Sequence, residues 1–237
     1  MANILVKQEY KELVKLFSSL TGARSLWQVF NDCIEMYALS IQNVFVIGKK
    51  HEANERRYLD IIKNYTKSEV MTITVIFRTI TDMLEANPFR DLLGDLYMQL
   101  NFGSDALGQF FTPYSISALM AKISIPIEEA REKIKEKGFI TLNEPTVGGG
   151  ANIIAACEHL HNNGINYQTC CVVQCQELSR LTALMCYVAL SLIGCSAVIK
   201  IGDTLANPYT SYFNELRKGA ELWTTPMFHL NNCYGKC

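Results

Sequence analysis

The sequence predicts an α/β protein in which a helical N-terminal region precedes a parallel sheet flanked by helices. Two observations lead to this prediction. Apolar residues in the first hundred positions recur mostly at helical spacing. Residues 139–205 instead alternate three strand-like segments with two helix-like segments, the order typical of parallel β-α-β units with right-handed crossovers. We therefore expect two domains, an N-terminal helical domain at 1–105 and a second domain at 106–237.

The N-terminal region shows the periodicity of amphipathic helices. In the segment 25–40, "SLWQVFNDCIEMYALS", apolar residues recur every three or four positions, and Ser25 can cap the helix start. The segment 8–20 repeats this pattern. The β-branched segment 70–84, "VMTITVIFRTITDML", is compatible with a strand or a buried helix, and its length favours the helix. We expect Pro88 to end it.

The second region begins after a segment rich in Gly, Ser and turn-forming residues. A short helix is predicted from about Ser115, and a charged helix with Pro126 in its first turn should end at Gly138. The three predicted strands that follow are "FITLNEP" (139–145), "CCVVQCQEL" (170–178) and "AVIKIGDTL" (197–205). Helices are predicted between them.

The composition excludes some classes of function. Lysines and arginines (22) nearly balance aspartates and glutamates (23), and the net charge of −1 gives no overall attraction to nucleic acid. Any contact with DNA must come from a local patch or a partner subunit. No apolar run is long enough to cross a bilayer, and the N-terminus does not resemble a signal peptide, so we expect a cytoplasmic protein without membrane contact.

The nine cysteines are interpreted as reduced thiols rather than as a disulfide framework. Their number is odd, and several lie inside apolar runs such as "CCVVQC" (170–175). The spacing of Cys233 and Cys237 would suit a metal, but no second pair or histidine pattern accompanies it. We therefore expect no metal site.

The segment 142–160, "LNEPTVGGGANIIAACEHL", predicts a glycine-rich turn between the first strand and its helix. Glycines at this position allow positive φ angles and close approach of a ligand to the main chain. The pattern fits a dinucleotide fingerprint poorly, because the last glycine of that motif would fall on Ile153. A tight corner without any ligand remains an alternative interpretation.

Three acidic residues lie at predicted strand ends and narrow the choice of ligand. Glu177 is placed to accept both hydroxyls of a ribose, and Asp203 is placed to accept the exocyclic amine of an adenine. Either residue could instead cap a helix or turn. Glu144, directly before the glycines, suits an ammonium group and would repel a pyrophosphate. S-adenosylmethionine therefore fits better than NAD. An NAD-type oxidoreductase is further disfavoured because no histidine lies at a position that the sequence predicts to be catalytic.

These motifs resemble those of the N-6 adenine-specific DNA methyltransferases, of the kind found as modification subunits of type I restriction systems, and especially their small phage and mobile-element relatives. Four matches occur in the family's order. They are "LGQFFTP" (107–113), "EPTVGGG" (144–150), Glu177 and "GDTL" (202–205). "DLLGDLYMQL" (91–100) also has a counterpart before the "FTP" phrase in that family.

The resemblance implies a Rossmann-like S-adenosylmethionine-dependent methyltransferase core at 106–237, with a truncated sheet, after the helical domain. By analogy, the "FTP" residues line the cofactor pocket from outside the sheet, Glu144 and the glycines hold the methionine part, Glu177 the ribose and Asp203 the adenine. The cofactor-binding residues implied in this way are Phe111, Thr112, Pro113, Glu144, Pro145, Gly148, Gly149, Gly150, Asn152, Glu177, Leu178, Asp203 and Thr204.

The sequence departs from the family at the catalytic motif. The Asn/Asp-Pro-Pro-Tyr/Phe tetrad of these enzymes, which accepts the N–H bonds of the target amine and stacks on the flipped base, is absent. Asn207, Pro208 and Tyr209 are the nearest string, but a turn is the more plausible role for them. Residues after Leu205 are too few for four further strands, and Trp223 to Phe228 would form either an aromatic platform for a base or a patch packed on the sheet.

The resemblance thus implies methylation of adenine N6 in DNA with S-adenosylmethionine as cofactor. The absent tetrad supports an alternative, a catalytically inactive S-adenosylmethionine-binding accessory or regulatory protein of a DNA modification system. The expected partners are DNA and either a second copy of the chain or a specificity-type subunit.

Overall fold

The computed structural model describes residues 7–100 and 111–236, which form a mixed α/β fold with a helical N-terminal part. This confirms the predicted fold class. The helices are α1 (Lys11–Ser19), α2 (Leu26–Gln42), α3 (Lys49–Ile62), α4 (Lys67–Ala86), α5 (Leu92–Gln99), α6 (Tyr114–Ser124), α7 (Ile127–Lys137), α8 (Ala151–Asn162), α9 (Tyr167–Cys170), α10 (Arg180–Leu192), α11 (Tyr212–Arg217) and α12 (Pro226–Leu230). Short 3₁₀ turns are found at Gln8–Tyr10 and Cys233–Gly235.

The helix ends follow the signals in the sequence. Ser25 caps α2 by accepting a hydrogen bond from the backbone N–H of Gln28 at 3.1 Å. The ambiguous β-branched segment is helical, because it lies inside α4, and that helix ends two residues before Pro88. Gly138 ends α7 in the left-handed conformation. Pro126 precedes the first residue of that helix, so its predicted place in the first turn is wrong by one position.

A four-stranded sheet forms the second part of the fold. Its strands are β1 (Ile140–Glu144), β2 (Cys171–Glu177), β3 (Ser196–Ile201) and β4 (Glu221–Thr224), in the order β1-β2-β3-β4. The first three strands are parallel, so their carboxyl ends lie at one edge of the sheet. β4 pairs antiparallel to β3.

The segment after β3 departs from the sequence prediction. The third strand ends at Ile201 rather than continuing to Leu205, and the sequence did not predict β4. Trp223 lies in β4 and is buried against the ring of Tyr187, with ring centroids 5.2 Å apart. Phe228 is also fully buried. Of the two roles considered for Trp223 to Phe228, the structure supports the patch packed on the sheet and not the aromatic platform for a base.

Buried side chains from the helical part and from the sheet belong to one continuous hydrophobic cluster, in which α2 packs against α10. A buried carboxylate adds a polar link across this contact. Glu35 of α2 accepts hydrogen bonds from Arg57 at 2.6 Å and from Arg180, the first residue of α10, at 2.8 Å. The domain boundary between 105 and 106 lies outside the described residues, so the division stays a prediction.

Eight cysteines lie in the described part of the chain, and all eight are free thiols; seven of them are buried. Cys237 lies outside the described residues. Burial raises the pKa of the Cys33 thiol, which keeps it protonated and unreactive. None of the described helices is both long enough and apolar enough to cross a membrane.

Candidate functional site

The glycine turn joins β1 to α8 at the carboxyl edge of the sheet. Gly148 has a φ of +56° and Gly150 a φ of +105°, a region of backbone conformation in which side chains are strained. The backbone N–H of Val147 donates to the carbonyl of Gln176 at 3.0 Å, which fixes the turn to the end of β2. The sequence requires glycine here because the chain must reverse tightly beside a neighbouring strand.

Glu177 connects the end of β2 directly to this turn. Its Oε2 accepts a hydrogen bond from the backbone N–H of Gly148 at 2.9 Å, and its Oε1 accepts one from the N–H of Ser179 at 2.9 Å. A carboxylate offers about four lone-pair sites, so two of them are left for further donors. Glu177 is therefore held rigidly next to the glycine turn and can still bind ligand hydroxyls.

Glu144 faces the first turn of α8. Its Oε2 accepts a hydrogen bond from Asn152 at 3.1 Å, and its Oε1 lies within hydrogen-bonding distance of the backbone and side chain of Thr146, at 3.3 and 3.4 Å. Asn152 in turn accepts a hydrogen bond from Ser117 of α6 at 2.7 Å. Glu144 and Asn152 line a cavity of about 180 Å³ between these helices and β1.

Asp203 lies in the turn that follows β3 and is exposed. Its Oδ1 accepts hydrogen bonds from the backbone N–H groups of Leu205 at 2.8 Å and Ala206 at 3.2 Å, so one oxygen caps its own turn. In the register of the sheet, Glu177 pairs with Ile201, which places Asp203 two residues beyond the level of Glu177. Thr204, next in the chain, is partly buried.

Two buried polar residues that sequence reasoning missed hold this turn in place. Gln176 donates from its Nε2 to the carbonyls of Gly202 at 3.2 Å and Asn207 at 3.0 Å, and its Oε1 accepts from the N–H of Tyr209 at 2.9 Å. Lys200 of β3 donates to the same Asn207 carbonyl at 2.8 Å. The signal for both was a polar residue inside an otherwise apolar strand.

Lys200 also forms a buried ion pair with Glu215 of α11, with 2.6 Å between Nζ and Oε2. The other oxygen of Glu215 accepts hydrogen bonds from Thr210 at 2.7 Å and from Lys218 at 3.0 Å. Burial acts to raise the pKa of the Glu215 carboxyl, but these hydrogen bonds outweigh it and lower the pKa to about 2. The carboxylate therefore stays ionised, and its contacts with Lys200 and Thr210 hold the turn in place.

Asn207, Pro208 and Tyr209, the nearest match to the missing catalytic tetrad, belong to this anchored turn. The Asn207 carbonyl accepts hydrogen bonds from both Gln176 and Lys200, which uses its two lone pairs, and Lys200 also reaches the Pro208 carbonyl at 3.5 Å. The geometry favours the interpretation of this string as a turn.

The "LGQFFTP" motif reaches the glycine turn through one residue. Leu107 to Phe110 lie outside the described residues. The ring of Phe111 packs over the glycines, because a Cβ added to Gly148 or Gly149 would lie 3.5 or 3.7 Å from it. Thr112 is exposed, and Pro113 is exposed directly before α6.

The structure therefore brings part of the predicted site together. Glu177 is hydrogen-bonded to the glycine turn and Phe111 packs beside that turn, whereas Glu144 and Asn152 face the α6 side, and Asp203 lies farther along the sheet edge. Pro145 is an exposed residue of the turn, and Leu178, directly after Glu177, is 70% exposed. The roles of these residues stay predictions.

The chain is similar to the methyltransferase subunit of the type I restriction-modification system from Streptococcus thermophilus, with 19% identity and a TM-score of 0.46. The match covers 85% of this chain and 46% of that subunit, so the chain spans less than half of its length. Comparison with curated proteins gives no match.

The family model for N-6 DNA methylases matches residues 89–229, which is more than half of the chain and includes the glycine turn and all four strands. On this match, the chain belongs to the N-6 DNA methylase family.

Proposed function

We propose that this chain binds S-adenosylmethionine at the glycine turn and acts in the methylation of adenine N6 in DNA. The contact between Glu177 and Gly148 is the observation that carries the proposal. It places a carboxyl hydrogen-bond acceptor against a turn of three glycines, whose backbone carries no side chains. Such an arrangement suits a ligand that has both vicinal hydroxyls and a bulky group needing close approach to the main chain.

The residues present fit the adenosine part of this cofactor. Two lone-pair sites of Glu177 are free to accept the ribose hydroxyls. Within the described part of the chain, Oδ2 of Asp203 accepts no hydrogen bond, so it is available for the adenine amine. Leu178 and Leu205, which are 70% and 91% exposed, follow the ends of adjacent strands and offer apolar surface for the base.

The methionine part would lie at the glycine turn, between Phe111 and the Glu144 side of the site. Among the described residues, Glu144 accepts hydrogen bonds from the neutral groups of Asn152 and Thr146 and forms no ion pair, so a cation of the ligand could pair with it. When bound, the cofactor supplies an electrophilic methyl group on a sulfonium. The contribution of the chain is to hold that group in one orientation, which is the main source of rate in a direct transfer between two bound partners.

The DNA substrate would present an adenine extruded from the helix, because the target nitrogen is inaccessible within the duplex. The near-neutral charge of the chain implies that a local patch or a partner, either a second copy or a specificity-type subunit, supplies phosphate contacts. Asn207, Pro208 and Tyr209 remain the nearest catalytic candidates. A cytoplasmic location, where DNA and reduced thiols occur together, follows from this proposal.

A second candidate function is cofactor binding without catalysis, as an accessory or regulatory protein of a DNA modification system. This alternative is favoured by the backbone carbonyl of Asn207, whose two acceptor sites are taken by the side chains of Gln176 and Lys200. A carbonyl in this state is not free to accept an N–H of the target adenine.

Two measurements separate these candidates. Calorimetry with S-adenosylmethionine and with NAD identifies the ligand, and we expect binding of the first alone. Transfer of a radiolabelled methyl group to adenine-containing DNA, with and without cell extract, then distinguishes an enzyme from a binding protein. Tight cofactor binding without transfer under either condition would exclude the enzyme and favour the accessory role.

A further inference from the structure

Asp91 brings a buried carboxylate to the glycine turn from the helical part of the molecule. The residue caps α5 and is only 8% exposed. Its Oδ1 accepts a hydrogen bond from the backbone N–H of Gly94 at 3.0 Å. The same oxygen lies 3.8 Å from the position that a Cβ would take on Gly149, and Phe111 lies 3.7 Å from that position. Asp91 and Phe111 thus flank the bare backbone of the turn together.

The surrounding sequence is adapted to hold the carboxylate in this place. A Cβ on Gly94 would lie 2.2 Å from Oδ2 of Asp91, so any larger residue at that position would displace the carboxylate. The glycine of the "DLLG" phrase therefore allows Asp91 to fold back over its own helix and to approach Gly149.

No cation within the described part of the chain neutralises Asp91. Arg90, next to Asp91 in the chain, pairs with Glu9 at 3.0 Å, and Lys7 pairs with Asp95 of the same helix at 2.9 Å. Burial, opposed by the hydrogen bond from Gly94 and assisted by the charge of Asp95, raises the pKa of the Asp91 carboxyl to about 6. A buried carboxylate without a partner is costly unless a ligand supplies the opposite charge.

We propose that Asp91 binds the α-ammonium group at the amino acid end of the cofactor, an inference that rests on the proposed function. An ammonium group offers three N–H donors for charge-assisted hydrogen bonds with a carboxylate, whereas a sulfonium offers none. Glu144 already accepts hydrogen bonds from Asn152 and from its own turn, while among the described residues Asp91 accepts only the N–H of Gly94. Asp91 is thus the carboxylate with more free acceptor sites beside the glycines.

The test measures binding of two neutral-sulfur ligands to the full chain by calorimetry. S-adenosylhomocysteine carries the ammonium group, and methylthioadenosine contains the same nucleoside without it. Asp91→Asn removes the charge but keeps an oxygen for the N–H of Gly94, and Asn is a good N-cap residue. We expect this variant to bind S-adenosylhomocysteine roughly 10- to 100-fold more weakly, the loss typical of one charge-assisted hydrogen bond, and to bind methylthioadenosine unchanged.

Asp95→Asn is the matched control, because Asp95 lies on the same helix, is half-exposed and pairs with Lys7; neither affinity should change. Asp91→Ser, a second capping residue without charge, should repeat the selective loss. Equal affinities of wild type and Asp91→Asn for S-adenosylhomocysteine, or an equal loss for both ligands, would overturn the inference alone. Absence of binding of either ligand by the wild type would overturn the proposed function as well.

Discussion

The ion pair between Lys200 and Glu215 gives a quantitative test of how the turn after β3 is held. Both side chains are fully buried, and Lys200 additionally donates to the Asn207 carbonyl. Lys200→Met removes the cation and leaves the carboxylate in the interior. Breaking a buried pair in this way costs about 3–5 kcal/mol. Because Lys218 still reaches Glu215 at 3.0 Å, we expect the lower end, about 3 kcal/mol.

Urea unfolding followed by circular dichroism measures this cost. The double variant Lys200→Met with Glu215→Leu removes both charges and should recover most of the lost free energy, since a buried pair replaced by apolar residues is often neutral. Lys133→Met on α7 is the control, because the side chain of Lys133 is exposed; its effect should stay within about 0.5 kcal/mol. A loss below about 1 kcal/mol for Lys200→Met, or a double variant less stable than the single one, would refute the reasoning.

Three further predictions follow from the same geometry. The pKa of Glu215 is lowered from 4.5 to about 2 in the folded state, so its stabilising contribution is complete above pH 4.5 and is lost as the pH falls toward 2. Urea titrations between pH 6 and 2 should show this loss in the wild type and not in the double variant Lys200→Met with Glu215→Leu. Identical pH profiles of the two proteins would contradict it. Gly150→Ala should destabilise the protein by more than Gly164→Ala, because the φ of +105° at Gly150 is farther than the +73° at Gly164 from the left-handed region at about +57° that an alanine can adopt. Thermal denaturation of both variants measures the difference, and equal shifts would contradict this reasoning. Gln176→Leu removes three hydrogen bonds from the turn 202–209 and should weaken binding of S-adenosylhomocysteine several-fold; unchanged affinity would show that this turn does not shape the site.

Local features of the structure could be predicted well from the sequence. The capping role of Ser25, the end of α4 before Pro88 and the glycine turn all depend on residues close together in the chain, and local backbone preferences determine them. The position of Glu177 at the end of a strand is also predictable, because the apolar run before it is long enough to define β2.

Contacts between distant residues could not be predicted. The approach of Asp91 to Gly149 joins residues 58 positions apart, and nothing in the periodicity of either segment indicates it. The four residues of β4 are too few for a periodic signal, and the strand forms because pairing with β3 buries Trp223. Lys200 and Gln176 were visible as polar residues in apolar strands, but their partners depend on the course of the following turn.

We propose that Glu177 and the glycine turn form the nucleoside site of a methyltransferase cofactor. Calorimetric titration of S-adenosylmethionine into the wild type, Glu177→Ala and the exposed-site control Glu128→Ala tests it most directly. We expect the wild type and the control to bind equally, and Glu177→Ala to lose about 1–3 kcal/mol of binding free energy. The same affinity in all three proteins would contradict the account, because the ribose would then lie elsewhere.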